Sequence, residues 1–319
     1  MRINPKKGQM SKRAFLERVA RMYYILGYNQ QEIAEQLDVG RSSVARFLNE
    51  AREQGVVQFF VSSDFESWRN HSLETKLVNQ THLKECVIFK TNPSGSTFEM
   101  MAAKYLNTVL PSTGAIGLGW GRTLHAVGTQ MHSCDARPDL SVVQLSGGWG
   151  AKEELVPATS NIQLWSTALH ARPLYLPAPA IVATVESKKS ILGDPSVKEV
   201  LDRMSQLKAA VIGIGHTGPD ATINYTNLAP DLNRSFLESR SVGDVIFHFY
   251  DENGTFSFPE LSDRVIGATA EDFLNIDLRI GIAKGGEKKK AILGAIRGEL
   301  VHVLITTEDT AQQLLDLEA

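Results

Sequence analysis

The stretch NQQEIAEQLDVGRSSVARFLNEAREQG, residues 29–55, decides how the first part of the chain folds. Asn29 followed three residues later by Glu32 is a capping-box pair that opens a helix. Ile33, Ala34 and Leu37 form its apolar stripe. Asp38-Val39-Gly40 is the turn; Asp accepts the left-handed conformation less readily than Gly but better than most residues. Val39 is placed to plug the angle between the helices. The next helix runs from Arg41 to about Gln54, with Val44, Phe47, Leu48 and Ala51 facing inward and Gly55 ending it. Two short helices joined in this way, the second opening on cationic and hydroxyl side chains, are a device for carrying polar groups into the major groove of DNA.

The candidate DNA-reading residues follow from that geometry. Arg41, Ser42, Ser43 and Arg46 lie on the first turns and the solvent side of the second helix. An arginine can make two hydrogen bonds to a guanine edge or clamp a phosphate, and serine can reach either. Gln30 and Gln31 start the preceding helix, where the DNA backbone passes. The plainer alternative is a helical pair with an ordinary charged surface, and the charge distribution weighs against it. The formal net charge is −3, from 33 bases and 36 acids. Residues 1–60 hold ten of those bases and six of the acids, leaving 23 against 30 for the rest. A basic first domain on an acidic body favours nucleic acid at one end only.

Working outward, a helix over Ser11–Leu26 is expected, with Phe15, Val19, Met22, Tyr23 and Leu26 on one face and Gly27 as its stop. Residues 1–10 read as a flexible basic arm, and residues 56–61 as a wing or connecting strand. Residues 62–82 read as a linker helix, with Leu73, Leu77 and Trp68 on a side able to meet a partner subunit. From residue 86 the pattern changes. Strand candidates are 86–90, 115–120, 141–148, 209–215, 244–250, 278–283 and 301–306; helix candidates are 97–109, 121–132, 195–207, 286–297 and 308–317. Near-continuous apolar strands alternating with helices predict a parallel sheet covered on both faces. The expected organisation is therefore a winged helix-turn-helix domain (1–61), a linker helix (62–82) and an α/β effector domain (83–319), a division that 319 residues accommodate.

Composition narrows the chemistry. Cys86 and Cys134 are the only cysteines and lie far apart, so neither a zinc site nor a disulfide framework is indicated, and a reducing cytoplasm is the expected setting. No signal-like segment opens the chain, and no uncharged apolar run approaches the ~20 residues of a membrane span. No metal, cofactor or catalytic constellation is expected.

Two glycine-rich loops suggest an anion site. GLGWGRTLHAV (117–127) follows an apolar strand and opens a helix, so backbone N–H groups, Arg122 and Thr123 can donate to a phosphate. It is not the phosphate loop of ATPases. LSGGWG (145–150) follows the next strand, and in a doubly wound sheet both loops converge on one crevice. Packing alone would also explain each loop. Asp244, after Gly243, can accept two sugar hydroxyls, although a strand-end aspartate is the plainer reading. Lys288, at a helix start in AKGGEKKKAILGAIRG (283–298), can neutralise phosphate, although three adjacent lysines usually sit on a surface. His216, near the same rim, is given less weight.

Taken in order, these motifs resemble a known family. Q-x-x-I-A-x-x-L, R-x-x-V-x-R-x-L and A-R-x-x-G-V-V are followed by G-x-G-W-G-x-T-L and V-V-Q-L-x-G-G. Then come V-G-D with an F-Y-D-x-x-G tail, a G-x-x-K-x-x-A-I helix and V-L-I-T-x-x-x-T-A-x-x-L-L. From Arg18 to Leu317 the chain resembles the SorC (SorC/DeoR-like) family of bacterial sugar-responsive transcriptional regulators. The resemblance implies a Rossmann-like C-terminal domain similar to the glucosamine-6-phosphate deaminase and ribose-5-phosphate isomerase folds. It also implies operator DNA as partner, a phosphorylated sugar or polyol as effector, and a dimeric or tetrameric assembly. By motif, Gly119, Gly121, Arg122 and Thr123 belong to the phosphate loop, Gly147 and Gly148 to the second loop, Asp244 to the sugar hydroxyls, and Lys288 to the ligand's neighbourhood.

The chain departs from the family pattern in places. Asp38 stands where the turn often carries Gly, and Gly40 where Ser often caps the second helix. Ser146 replaces the lysine with which deoxyribose-phosphate-responsive members capture an aldehyde, so Schiff-base capture is not expected. Lys284 occupies a glycine position and offers a second cation. Residues 216–231 read as a ligand lid. The expectation is a ligand-gated regulator; the alternatives are a sugar-phosphate isomerase or deaminase with a DNA-binding appendage, and an architectural nucleic-acid binder without a ligand.

Overall fold

The computed structural model describes residues 11–57, 65–90, 97–148, 157–219, 221 and 228–318. The chain divides into two compact units, Met1–Ser63 and Asp64–Ala319. The basic arm expected over 1–10 lies outside the described residues, as does the wing expected over 56–61 beyond Val57.

The first unit is built from three helices. Helix α1 (Lys12–Tyr24) starts at Ser11, whose hydroxyl accepts from the Ala14 N–H. Helix α2 (Gln30–Leu37) starts with the full capping box: Asn29 Oδ1 accepts from Glu32 N at 3.0 Å, and Glu32 Oε2 accepts from Asn29 N at 2.8 Å. Asp38 takes the left-handed conformation (φ 51°, ψ 49°) that ends α2. Helix α3 (Arg41–Glu53) begins at Gly40 without a side-chain cap. Val19, Met22, Ile33, Ala34, Val44 and Leu48 form the core, with Val39 and Phe47 packed against it. Leu26, expected on the buried face of the first helix, is instead exposed, because α1 ends before it.

The second unit is an α/β domain around a seven-stranded parallel sheet. Its strands are β1 (Glu85–Phe89), β2 (Gly114–Leu118), β3 (Leu140–Gln144), β4 (Arg172–Leu174), β5 (Ala209–Gly213), β9 (Leu278–Ile282) and β10 (Val303–Thr307), in the order β1-β10-β9-β5-β2-β3-β4. Helices α5 (Phe98–Val109), α6 (Arg122–Gly128) and α7 (Ala158–Leu169) cover one face over Ile116, Leu118, Val142 and Ile280. Helix α4 (His71–Gln80) and the helices Pro195–Met204, Lys289–Arg297 and Glu308–Glu318 cover the other over Cys86, Ile88, Val143 and Ile212. Both faces are buried, as the continuous apolar strands require.

Two expectations need correction. The segment expected as a linker helix over 62–82 supplies α4, which is part of the second unit and buries Leu77 in the sheet's core. A charge cluster fixes it there. Glu74 is nearly buried and receives Nε and Nη2 of Arg69 at 2.9 and 3.1 Å, together with the Ile88 N–H at 2.9 Å. The apolar run 244–250, expected as one strand, folds back on itself. Strands β7 (Gly243–Val245) and β8 (His248–Tyr250) pair antiparallel, joined through Ile246 and Phe247, and β6 (Gly215–His216) completes a small three-stranded sheet.

Glu74→Ala leaves the buried Ile88 N–H without its acceptor, while Arg69 keeps the Glu85 carboxylate, 3.2 Å from its Nη2. The substitution is therefore expected to destabilise the second unit by roughly 1–3 kcal/mol, read from urea unfolding. A loss well under 1 kcal/mol would show that the Arg69–Glu74 pair does not hold α4.

Candidate functional site

The sheet's topology creates a crevice. From β2 the chain continues to β3 and β4 on one side, whereas β5 returns to the other side of β2 and leads on to β9 and β10. Ligands of open α/β sheets bind where connections diverge in this way, beyond the carboxyl ends of the strands. A cavity of about 270 Å³ opens there. It is lined by Gly119–Thr123 after β2, by Gly213–His216 at the end of β5 and in β6, by Asp244, Ile246, Phe247 and Phe249 of the hairpin, and by Lys284, Glu287 and Lys288 after β9.

The loop after β2 is held from behind. Its Gly119 N–H donates to Val211 O at 2.9 Å. Gly121 caps α6, and its carbonyl accepts from the His125 N–H at 3.1 Å and from Nδ2 of the fully buried Asn161 at 3.2 Å. His125 Nδ1 lies 3.2 Å from Asn161 Oδ1, which fixes the amide's orientation. The first-turn N–H groups of Arg122 and Thr123 have no carbonyl one turn back to bond. Trp120 stacks on Phe247 with ring centroids 4.9 Å apart, tying this loop to the hairpin.

Asp244 and Lys288 both line the cavity, near enough for each charge to act on the other. The Lys288 ammonium donates to Ile214 O at 2.9 Å, and Asp244 Oδ2 accepts from the Phe247 N–H at 3.2 Å. Burial raises the Asp244 carboxyl from its ordinary value to about 6, against the smaller lowering effects of the Phe247 N–H and the Lys288 charge. Burial lowers the Lys288 ammonium, Asp244 and Glu287 oppose that shift, and Arg122 adds to it. Gly215 is required here, since a Cβ would overlap Asp244 Oδ1. Ile246 and Phe247 adopt φ of 43° and 70°. A two-residue hairpin turn needs positive φ, which a β-branched or aromatic residue adopts at a cost of roughly 1–3 kcal/mol each. The cavity wall thus stores backbone strain beside the carboxylate.

Gly119, Gly121, Arg122, Thr123, Asp244 and Lys288 therefore come together in one cavity, and His216 joins them. Lys288 is a cavity residue, whereas Lys290 points outward and pairs with Glu252. Gly147 and Gly148 do not converge on the cavity, contrary to expectation. Their N–H groups are spent on Ile266 O and Ala178 O, and a Cβ on Gly147 would run into the Pro179 backbone. These glycines serve close packing. Ser146 is buried beside Gly267 and does not line the cavity. Much of the lid expected over 216–231 lies outside the described residues. Sequence reasoning missed Trp120, Ile246, Phe247 and Asn161; the run VIFHFY, apolar but for His248, concealed the turn, and nothing local marks Asn161 as a loop support.

On α3, Arg41, Ser42 and Arg46 are exposed and Ser43 half-buried; Gln31 is exposed and Gln30 half-buried at the start of α2. Arg46 lies over the Phe47 ring, 5.5 Å from its centroid. Among the described residues, no helix is long and apolar enough to cross a membrane, and no group of three or more His, Cys, Asp or Glu residues is arranged to hold a metal ion.

The family model described as "Putative sugar-binding domain" matches residues 66–316, nearly the whole second unit. The chain belongs to this SorC/DeoR-like sugar-binding family. Its relatives are transcriptional regulators. The deoxyribonucleoside regulator of Bacillus subtilis (strain 168) is 29% identical over 302 residues, covering 93% of this chain and 96% of its own. The sorbitol operon regulator of Klebsiella pneumoniae is 26% identical over 305 residues, with 93% and 96% covered. The crystal structure of full-length SorC from Klebsiella pneumoniae superposes with a TM-score of 0.76 at 24% identity, over 96% of this chain and 100% of that one. That likeness concerns the fold and spans both units of the chain.

The raised carboxyl of Asp244 sets a pH dependence. The folded chain holds this proton more tightly than the unfolded chain between the ordinary value of 3.8 and about 6. Stability is therefore expected to fall as pH rises through that window and to level off above it. Asp244→Asn should remove this component, so the ligand-free variant gains on the parent protein between pH 4 and pH 7 in urea midpoint. An equal midpoint difference at both pH values would place the Asp244 carboxyl at its ordinary value.

Proposed function

We propose that the chain is a sequence-specific DNA-binding regulator of a carbohydrate or polyol operon, controlled by a phosphorylated sugar bound in the second unit. The observation that carries this reading is the cavity at the ends of β2, β5 and β9, where the Gly119–Thr123 loop, Arg122 and Lys288 offer donors to an anion and Asp244 offers a carboxylate to hydroxyls. Family membership supports a sugar as the ligand, and the relatives' names support regulation as the role. In this reading the three-helix unit is a helix-turn-helix domain. Arg41, Ser42, Ser43 and Arg46 reach the bases or phosphates, and Gln30 and Gln31 reach the backbone. The second unit is a Rossmann-like effector domain.

A small helical unit gains operator affinity from symmetric pairing of half-sites, so a homodimer or homotetramer is the proposed binding form. The effector acts by binding one arrangement of the subunits more tightly than another. One observation favours a second reading: a carboxyl raised to about 6 has the character of a general base, as an isomerase or deaminase would need. Hydrogen isotope exchange into a bound sugar phosphate would mark that enzyme; its absence leaves the regulator.

Fluorescence anisotropy with DNA from upstream of the chain's own gene cluster, at fixed salt, tests the proposal. Arg41→Ala is expected to weaken DNA binding about tenfold or more, the loss of one base or phosphate contact, and to leave sugar-phosphate binding intact. Lys288→Ala is expected to shift the effector midpoint upward without changing DNA affinity in the effector's absence. Joint loss of both activities in Arg41→Ala would contradict the division of labour between the units.

A further inference from the structure

Among the described residues, three cations and two carboxylates line the cavity: Arg122, Lys284 and Lys288 against Asp244 and Glu287. They are not equivalent. Lys288 lies within reach of the Asp244 charge and is tied to the Ile214 carbonyl, so its charge is balanced within the wall. Lys284 is different, because its counter-charge lies outside the lining. Its ammonium donates to Glu99 Oε1 at 2.5 Å, on the first turn of α5, and sits 5.0 Å from the centroid of the Phe98 ring. The lysine side chain is 42% exposed and the glutamate 19%, so the ammonium keeps access to solvent and to the cavity while the carboxylate is largely covered. The supporting loop is fixed, since the Gly285 N–H donates to Thr310 Oγ1 at 2.9 Å.

A neutral ligand in this cavity gives Lys284 no stronger acceptor than Glu99. A phosphate at the Gly119–Thr123 loop does, because an ammonium makes its strongest hydrogen bonds to anions and can share its three donors between two of them. We propose that Lys284 is a specificity-determining residue, shared between Glu99 and the ligand, that makes this cavity select phosphorylated sugars over neutral ones. The inference rests on the reading of the cavity as a sugar-phosphate site. It concerns a lysine that stands where the family pattern carries glycine. Glu99 acts as a competitor that holds Lys284 when the cavity is empty and lowers affinity for every anion.

Calorimetric titration of the full-length chain with inorganic phosphate, ribose 5-phosphate and ribose, at constant ionic strength, tests this. Lys284→Ala is expected to weaken phosphate and ribose 5-phosphate about tenfold, the loss of one charge-assisted hydrogen bond, and to leave ribose unchanged. Glu99→Gln keeps the lysine but weakens its tether, and is expected to tighten both anions about threefold or more. Unchanged anion affinity in Lys284→Ala, or an equal loss for ribose, overturns the inference. If anion binding falls in Lys288→Ala but not in Lys284→Ala, the inference fails and the phosphate-site reading stands. If the unmodified chain binds neither phosphate nor ribose 5-phosphate, both fail together. Because Glu99→Gln leaves the cavity lining intact, it decides the point even where Lys284→Ala unfolds.

Discussion

The divergence of the chain between β2 and β5 is the constraint from which the rest of the second unit follows. Parallel strands need crossover connections, and these run in opposite directions from the two neighbouring strands. The cavity opens at their carboxyl ends. The loops after β2, β5 and β9 meet there, and the side chains they carry come from positions far apart in sequence: Arg122, His216, Asp244 and Lys288. Burial of both sheet faces makes the platform rigid, since each strand is locked between two apolar layers.

On that platform the polar groups are seated by close contacts. The Asp244 carboxylate fits only because Gly215 lacks a Cβ, and the hairpin that carries it turns through Ile246 and Phe247 in an unfavourable conformation. Stacking of Phe247 on Trp120 and burial of Ile246 and Phe247 help to offset that strain. Burial also raises the carboxyl of Asp244, against the Phe247 N–H and then the Lys288 charge, and lowers the ammonium of Lys288, against the Asp244 and Glu287 charges. Lys284 adds a third cation whose partner, Glu99, stands outside the cavity.

Much of this was legible in the sequence, for physical reasons that differ by element. The Asn29–Glu32 capping box, the αL turn at Asp38 and the apolar stripes of α2 and α3 are local signals, and the structure places each where local chemistry puts it. The central strands are equally legible, because a strand buried on both faces must be apolar throughout. The same rule misled at 244–250: apart from Asp244 and His248 this buried hairpin is also apolar, and the turn residues Ile246 and Phe247 carry none of the usual turn chemistry. The glycines of 145–148 read as an anion loop because glycine permits close approach, but here the approaching group is the Ala178–Pro179 backbone.

The sequence by itself determined the local elements and named the residues proposed as an anion site, since caps, periodicity and charge act over a few residues. Tertiary structure decided which of those residues share a cavity. It withdrew Gly147 and Gly148, brought in Trp120 and His216, and set Asn161 behind the Gly121 carbonyl. It also turned Lys288 inward while its neighbour Lys290 stayed in solvent. Those assignments depend on strand order and on contacts between segments 30 to 170 residues apart, and no local pattern encodes which crossover will leave its loop uncovered.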